Sequence, residues 1–206
     1  MKFLQYLFIS LSHKILKLLP YTSIRILSVP IGTLYFLLTF RSSIKLFRRK
    51  EIFNELKINY KPLIVKINYT RYWLETLWLT NKNFSKYISP HVEIENLESV
   101  EKLKKQYPGL IFALPHLGNW EFAIPIGNSI KLNLLAVAEP LNNSYVLNWF
   151  KSLRESLGIE IIIGGKGQNT FDLLVNKLKS GKDICLLSER SIKKSGVATE
   201  FFGQLA

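Results

Sequence analysis

His116 begins the run His-Leu-Gly-Asn-Trp-Glu, an HX4E spacing that ends in Glu121. An imidazole just after a buried strand, with a carboxylate in the first turns of the next helix, suits general-base chemistry. The carboxylate fixes the tautomer and balances the imidazolium, and the other ring nitrogen takes a proton. Gly118 allows a tight turn or a close substrate approach, and Asn119 is a good N-cap. The N–H groups of that helix start can face an oxyanion. The same residues also fit a plainer arrangement in which His116 only caps a helix. Two further strand-like runs end in polar groups: LLAVA runs into Glu139, and ICLLS runs into Glu189-Arg190. Function in parallel sheets gathers at the carboxyl ends of strands, so His116, Glu139, Glu189 and Arg190 are expected to converge.

Other chemistries find less support. One cysteine excludes a disulfide scaffold and a Cys-based zinc site, and three histidines leave little for a metal centre, so no metal is expected. There is no G-x-S-x-G elbow for a serine nucleophile. Gly164-Gly165-Lys166-Gly167 follows a strand-like run but lacks the phosphate-loop spacing and reads as an ordinary turn. Cys185 reads as a core residue, His13 as an interfacial or surface residue, and His91 as the start of a strand.

These side chains need elements to hold them. HVEIENL (91–97), GLIFALP (109–115), LNLLAVAE (132–139), IEIII (159–163) and DICLLS (183–188) read as strands, with 109–115 a buried one. Helices are expected over 43–80, 99–106, 119–130, 143–157 and 168–179, with Pro108-Gly109, Gly158 and Gly181 as stops. The run FFGQLA offers no clear element. Strands alternating with helices of this length predict an α/β fold, a mainly parallel twisted sheet flanked by helices. The chain has 206 residues with 48% hydrophobic side chains, enough for a sizeable core.

Residues 1–50 differ from the remainder. They hold nine of the 28 basic residues and no acid, in a strongly apolar context, while the other 156 residues are nearly balanced. Such charge seeks an anionic surface, and the apolar company favours lipid over nucleic acid. No zinc-finger, RNP-type or helix-turn-helix pattern is present. Residues 3–19 and 26–40 are apolar runs. The second is uncharged but only fifteen long, short of the about 20 residues of a span. Extending it back to Tyr21 brings in Arg25, and Pro30 and Gly32 interrupt it. A signal peptide fits poorly, because no small-residue cleavage site follows a short apolar run. Two apolar helices dipping into one leaflet are expected, followed by Arg48-Arg49-Lys50 at the headgroups. A single span and a plain cover for the core are the alternatives. The division is then 1–50, membrane-associating helices, and 51–206, an α/β domain that stays in solution when residues 1–42 are removed.

Four blocks carry a family resemblance: GLIFALPHLGNWE (109–121), VAEPLNN (137–143), Arg154 with Gly158, and DICLLSERSIKKSGVATEFFG (183–203). The aromatic helix around YTRYWLE (69–75) and the basic apolar start fit as well. In this order they resemble the bacterial lipid acyltransferases of the lysophospholipid-acyltransferase superfamily. That branch holds the lipid A lauroyl/myristoyl acyltransferases and the phosphatidylinositol mannoside acyltransferases. Glu189-Arg190 is closer to the Asp-Arg of the phosphatidylinositol mannoside branch than to the Asp-Gln of the lipid A branch. Ser188-Glu189 and Ser191 depart from that branch's Ala-Asp and Asp. The family continues beyond the Phe-Phe-Gly block, so the domain is expected to be incomplete at its C-terminal end.

The resemblance implies a glycerol-3-phosphate-acyltransferase-like fold on the cytoplasmic face of a bacterial membrane. It implies O-acyl transfer from acyl-coenzyme A or acyl carrier protein, as co-substrate, to a hydroxyl of a glycolipid such as phosphatidylinositol mannoside, with no cofactor. A lipid A acceptor, or an inactive membrane-binding fragment, is the alternative. His116 is the implied base, with Glu121 and Glu189 holding it. Asn119, Glu139, Arg154 and Arg190 are the implied substrate contacts, Arg154 serving ligand more than fold, with an apolar groove beside His116 for the acyl chain.

Overall fold

The computed structural model describes residues 1–40, 61–164, 169–187, 200–201 and 204–205. Its longer helices are α1 (Lys2–Leu16), α2 (Tyr21–Leu38), α3 (Pro62–Trp78), α4 (Leu97–Gln106), α5 (Ala123–Ser129), α6 (Ser144–Leu157) and α7 (Thr170–Lys179). The strands β1 (Ile111–Leu114), β2 (Leu134–Ala138), β3 (Glu160–Ile163) and β4 (Asp183–Leu187) form one parallel sheet in the order β1-β4-β2-β3. The expected fold class is the observed one.

Strand order positions the site. β4, late in the chain, enters between β1 and β2, with Leu187 beside Leu114 and Cys185 beside Ala136. The exit of β4 therefore lies next to the exit of β1, from which His116 follows. The crossovers from β1 to β2 and from β2 to β3 run one way across the sheet, and that from β3 to β4 runs back. Right-handed crossovers then put α5 and α6 on one face and α7 on the other. In accord with this, α5 packs on α6 and β2, while α7 packs on β4. The core joins Leu79, Phe84, Ile124, Leu134, Leu157, Ile159 and Ile161, with Cys185 packed at its margin. Burial pushes the Cys185 thiol up to about 11, which suits a packing residue and not a nucleophile.

Local signals set the helix ends. The Asn143 side chain accepts from the Val146 N–H, and that of Asn169 from the Asp172 N–H. α6 stops at Gly158, whose φ of 105° is a left-handed conformation; a Cβ there would meet the Asn128 amide at 2.3 Å. At the amino end of the sheet, the fully buried Asp183 carboxylate is matched by Lys104 Nζ (2.9 and 3.1 Å), the Leu110 N–H (3.0 Å) and the Asn133 N–H (2.8 Å). A buried charge with every lone pair in use is a fastening, so this end of the sheet is closed and the chemistry falls to the other.

Several elements differ from the sequence expectation. Residues 91–97 form no strand: His91 ends a short 3-10 turn, Asn96 is left-handed with φ of 55°, and α4 starts at Leu97. Val92 meets the core and Ile94 is exposed, so the apolar alternation is met by packing without a sheet partner. Among the described residues β1 pairs with β4 alone, and Ile111 is exposed, so this strand is half-covered and not buried there. The helix expected over 43–80 is described from Pro62, and its portion before residue 61 lies outside the described residues, as does Arg48-Arg49-Lys50. Near the end of the sequence Glu200–Phe201 pairs antiparallel with Gln204–Leu205.

The N-terminal helices belong to the packed body along one face only. α2 runs antiparallel to α3, from Tyr21 beside Glu75 and Trp78 to Tyr35 beside Lys66 and Tyr69. Ile24, Ser28 and Gly32, four residues apart, make the buried stripe, and a Cβ on Gly32 would meet the Ile67 Cα at 2.6 Å. His13, expected as an interfacial or surface residue, is half-buried within the protein: it donates from Nδ1 to the Leu77 carbonyl at 2.7 Å and stands edge-on to Trp149. Burial lowers its pKa against the opposing effect of that bond. Trp78 is fully buried and donates to the Leu19 carbonyl at 2.9 Å. Removing residues 1–42 would therefore uncover Trp78 and strip Glu75 of its Tyr21 partner, which makes that truncation a poor route to a soluble α/β part. The opposite faces are exposed and apolar: Leu4, Phe8, Leu11 and Ile15 on α1, and Ile26, Val29, Leu34 and Leu37 on α2. By length and composition α2 is the one described helix able to cross a membrane.

Candidate active site

The turn after β1 is built by its own backbone and by Asn119. The Leu117 N–H reaches the Pro115 carbonyl at 2.8 Å, and Gly118 takes a φ of 63° with open space where a Cβ would point. Asn119 caps the short 3-10 turn Trp120–Phe122, its Oδ1 accepting the Glu121 N–H at 3.1 Å. This geometry exposes His116 at the carboxyl end of the sheet, edge-on to Trp120 with ring centres 4.8 Å apart. Trp120 leans on Tyr72 of α3 at the same separation, so the aromatic run 69–78 backs the turn.

Glu121 is 1% exposed. Its carboxylate is gripped by Arg154 from the last turn of α6: Nη2 donates to Oε1 at 2.6 Å, and Nε to Oε1 and Oε2 at 3.2 and 3.1 Å. The Tyr72 hydroxyl stands 3.5 Å from Oε1. Burial opposes the Arg154 charge, but the Glu121 carboxylate outweighs it and holds the guanidinium above its ordinary value. Burial first, and then Glu121, push the Tyr72 hydroxyl well up. A forked guanidinium–carboxylate pair of this kind is rigid as well as strong.

His116, Asn119, Glu121 and Arg154 thus share one neighbourhood. The side-chain oxygen and amide of Asn119 are both engaged within the protein, the amide donating to Glu75 Oε2 at 3.0 Å. Arg154 meets Glu121, an internal partner that the sequence reading had assigned to His116. Glu139 is exposed just past β2. β4 lies between β2 and β1, which at the usual strand spacing puts the two exits about 10 Å apart. Glu189 and Arg190, with Ser188, Ser191 and residues 165–167, lie outside the described residues. An open apolar groove of about 800 Å3 runs between Leu4, Phe8 and Ile9 of α1 and Leu141 and Val146 at the start of α6. It lies off the end of β2. Sequence reasoning missed Glu75 and Tyr72; a carboxylate within the aromatic run YTRYWLE was the available signal.

The family model for bacterial lipid A biosynthesis acyltransferases matches residues 2–206, taking in α1 and α2 together with the sheet. The chain belongs to this family. Among curated relatives, the phosphatidylinositol mannoside acyltransferase of Mycolicibacterium smegmatis is 30% identical over 141 residues, 66% of this chain and 45% of that protein. Those of two Mycobacterium tuberculosis strains, CDC 1551 / Oshkosh and H37Rv, are each 31% identical over 140 residues, 66% of this chain and 44% of theirs. The chain therefore matches somewhat less than half the length of these acyltransferases.

Proposed function

We propose that the chain moves a fatty acyl group from a thioester, acyl-coenzyme A or acyl carrier protein, to a hydroxyl of a membrane glycolipid. The observation that carries this reading is an exposed imidazole at a strand exit, in a turn whose far end is anchored by the buried Glu121–Arg154 pair. His116 takes the proton of the acceptor hydroxyl as its oxygen attacks the thioester carbonyl. Backbone N–H groups near Gly118 to Trp120 face the oxyanion of the tetrahedral intermediate. Collapse breaks the C–S bond, and the thiolate leaves with the proton from the imidazolium, so one ester and one thiol result. Glu121, with Glu189, balances the imidazolium; Arg154 holds Glu121 in place. Asn119, Glu139 and Arg190 are the proposed contacts to donor and acceptor, and the groove beside α1 takes a hydrocarbon chain.

The mycobacterial relatives favour a phosphatidylinositol mannoside acceptor, and the family description favours lipid A. Release of free thiol from palmitoyl-coenzyme A, measured with each acceptor in turn, tests the reading. Thiol release with neither acceptor, and none above background, would leave a membrane-binding chain without catalysis.

The proposed location is one leaflet on the cytoplasmic face of the membrane. α2 would have to part from Lys66, Arg71 and Glu75 of α3, or carry them into hydrocarbon, in order to cross. Its exposed outer side suits an in-plane position, with the basic excess of residues 1–50 at anionic headgroups. Ile26→Glu combined with Leu37→Glu alters two side chains that are 68% and 62% exposed. This variant is expected to bind phosphatidylglycerol vesicles about tenfold or more weakly, with an unchanged melting temperature. Sedimentation equal to that of the unmodified chain would remove α2 from the membrane surface.

A further inference from the structure

Glu75 takes no part in the steps above, yet its side chain is buried on the seam between α2, α3 and the His116 turn. Oε1 accepts from the Tyr21 hydroxyl at 2.8 Å, on the first residue of α2, and Oε2 accepts from Asn119 Nδ2 at 3.0 Å. Asn119 in turn caps the Glu121 N–H, and Arg154 grips the Glu121 carboxylate. A buried carboxylate must have its lone pairs met by donors. Here the donors come from two separate parts of the protein: a helix with an exposed apolar face, and the turn that carries the imidazole.

The chemistry of the bond also gives it a direction. A carboxylate offers only acceptors, so the Asn119 amide must turn Nδ2 toward Glu75 and Oδ1 toward the Glu121 N–H. An amide side chain has nearly the same shape either way round. Both partners of Asn119 select this orientation: the reversed amide would set its NH2 against the Glu121 N–H and its oxygen against the Glu75 carboxylate, so loss of Glu75 removes one of the two constraints on the cap. Asp183, another buried carboxylate met by donors, fastens the amino ends of strands far from any such turn; Glu75 faces the carboxyl end.

We propose that Glu75 is a positioning residue for acyl transfer, one that sets the His116–Glu121 turn by bridging Tyr21 of α2 to Asn119. It rests on the acyl-transfer reading of His116 for its consequence, and on the hydrogen bonds alone for its geometry. Displacement of a reacting group by about 1 Å can cost on the order of 10²-fold in rate, so a loosened turn is expected to lower kcat without weakening donor binding.

A reversal of the bond tests this in the full chain. Glu75→Gln turns one of the two acceptor oxygens into an N–H donor, so that Tyr21 and Asn119 can no longer both donate to it, and Asn119→Asp sets two carboxylates face to face. The double variant reverses the bond: the amide at 75 donates to the carboxylate at 119, while the Tyr21 hydroxyl and the Glu121 N–H keep their acceptors. Each single variant is expected to lower kcat about tenfold or more with KM for palmitoyl-coenzyme A little changed, and to speed amide exchange across residues 116–121. The double variant is expected to recover most of both. A double variant as slow as the worse single, or with exchange as fast, overturns the proposal. If the unmodified chain releases no thiol, the acyl-transfer reading falls and amide exchange still decides: unchanged exchange in the single variants overturns the bridge. Where Asn119→Asp does not fold, Glu75→Gln and Tyr21→Phe carry the test, and unchanged exchange in both refutes it.

Discussion

His116→Ala is expected to lower kcat for acyl transfer on the order of 10²-fold or more while the melting temperature holds. Its side chain is exposed at the exit of β1, and the turn beneath is held by Asn119 and by the Pro115–Leu117 backbone bond, neither of which needs the imidazole. The loss should fall on kcat and kcat/KM together, because proton transfer from the acceptor hydroxyl belongs to the transition state and not to donor binding. Combining His116→Ala with Glu121→Gln should add little to the loss in rate, since a base and the group that balances it act as one unit. Steady-state thiol release by the folded variants measures both. An alanine variant that kept most of its transfer rate would rule out His116 as the base.

The second large effect is on stability. Arg154→Ala leaves the Glu121 carboxylate buried with its fork removed, and breaking a buried ion pair from one side costs about 3 kcal/mol or more. For a chain of this size that lowers the melting temperature by roughly 6–12 °C. The sequence reading, which gave Arg154 to the ligand, expected little change. Replacing both partners by leucine should recover much of the loss, because no uncompensated charge is then left inside. It should not recover activity, since the carboxylate proposed to balance the imidazolium is gone. Thermal unfolding of Arg154→Ala and of the double leucine variant decides the matter. A melting temperature unmoved by Arg154→Ala would mean that the pair contributes nothing to the fold.

Neighbouring residues made most of the elements readable. Asn143 and Gly158 mark both ends of α6, and Asn169 and Gly181 bracket α7, because caps are made by side chains and backbone within a few residues. The apolar runs of β2, β3 and β4 between those helices already implied a parallel sheet, and the HX4E block at the exit of β1 already pointed to a base and a carboxylate. Where the local pattern misled, at 91–97, the cause was tertiary: an apolar alternation becomes a strand only when another strand lies beside it.

Partnership was beyond the reach of sequence. Glu121 and Arg154 are 33 residues apart, and Glu75 and Asn119 are 44 apart. No local rule says which guanidinium a buried carboxylate will meet, because that depends on how α3 and α6 cross the end of the sheet. The same holds for α2. Its composition admits a membrane span, an in-plane helix or a cover for the core. The close approach of Gly32 to Ile67 and the Tyr21–Glu75 bond commit one face to α3 and leave the other bare. Composition determined that the N-terminal helices would be apolar and basic; only the packing of α2 on α3 decided which side of them could meet a bilayer, because a helix face already buried against protein has no surface left to bury in lipid.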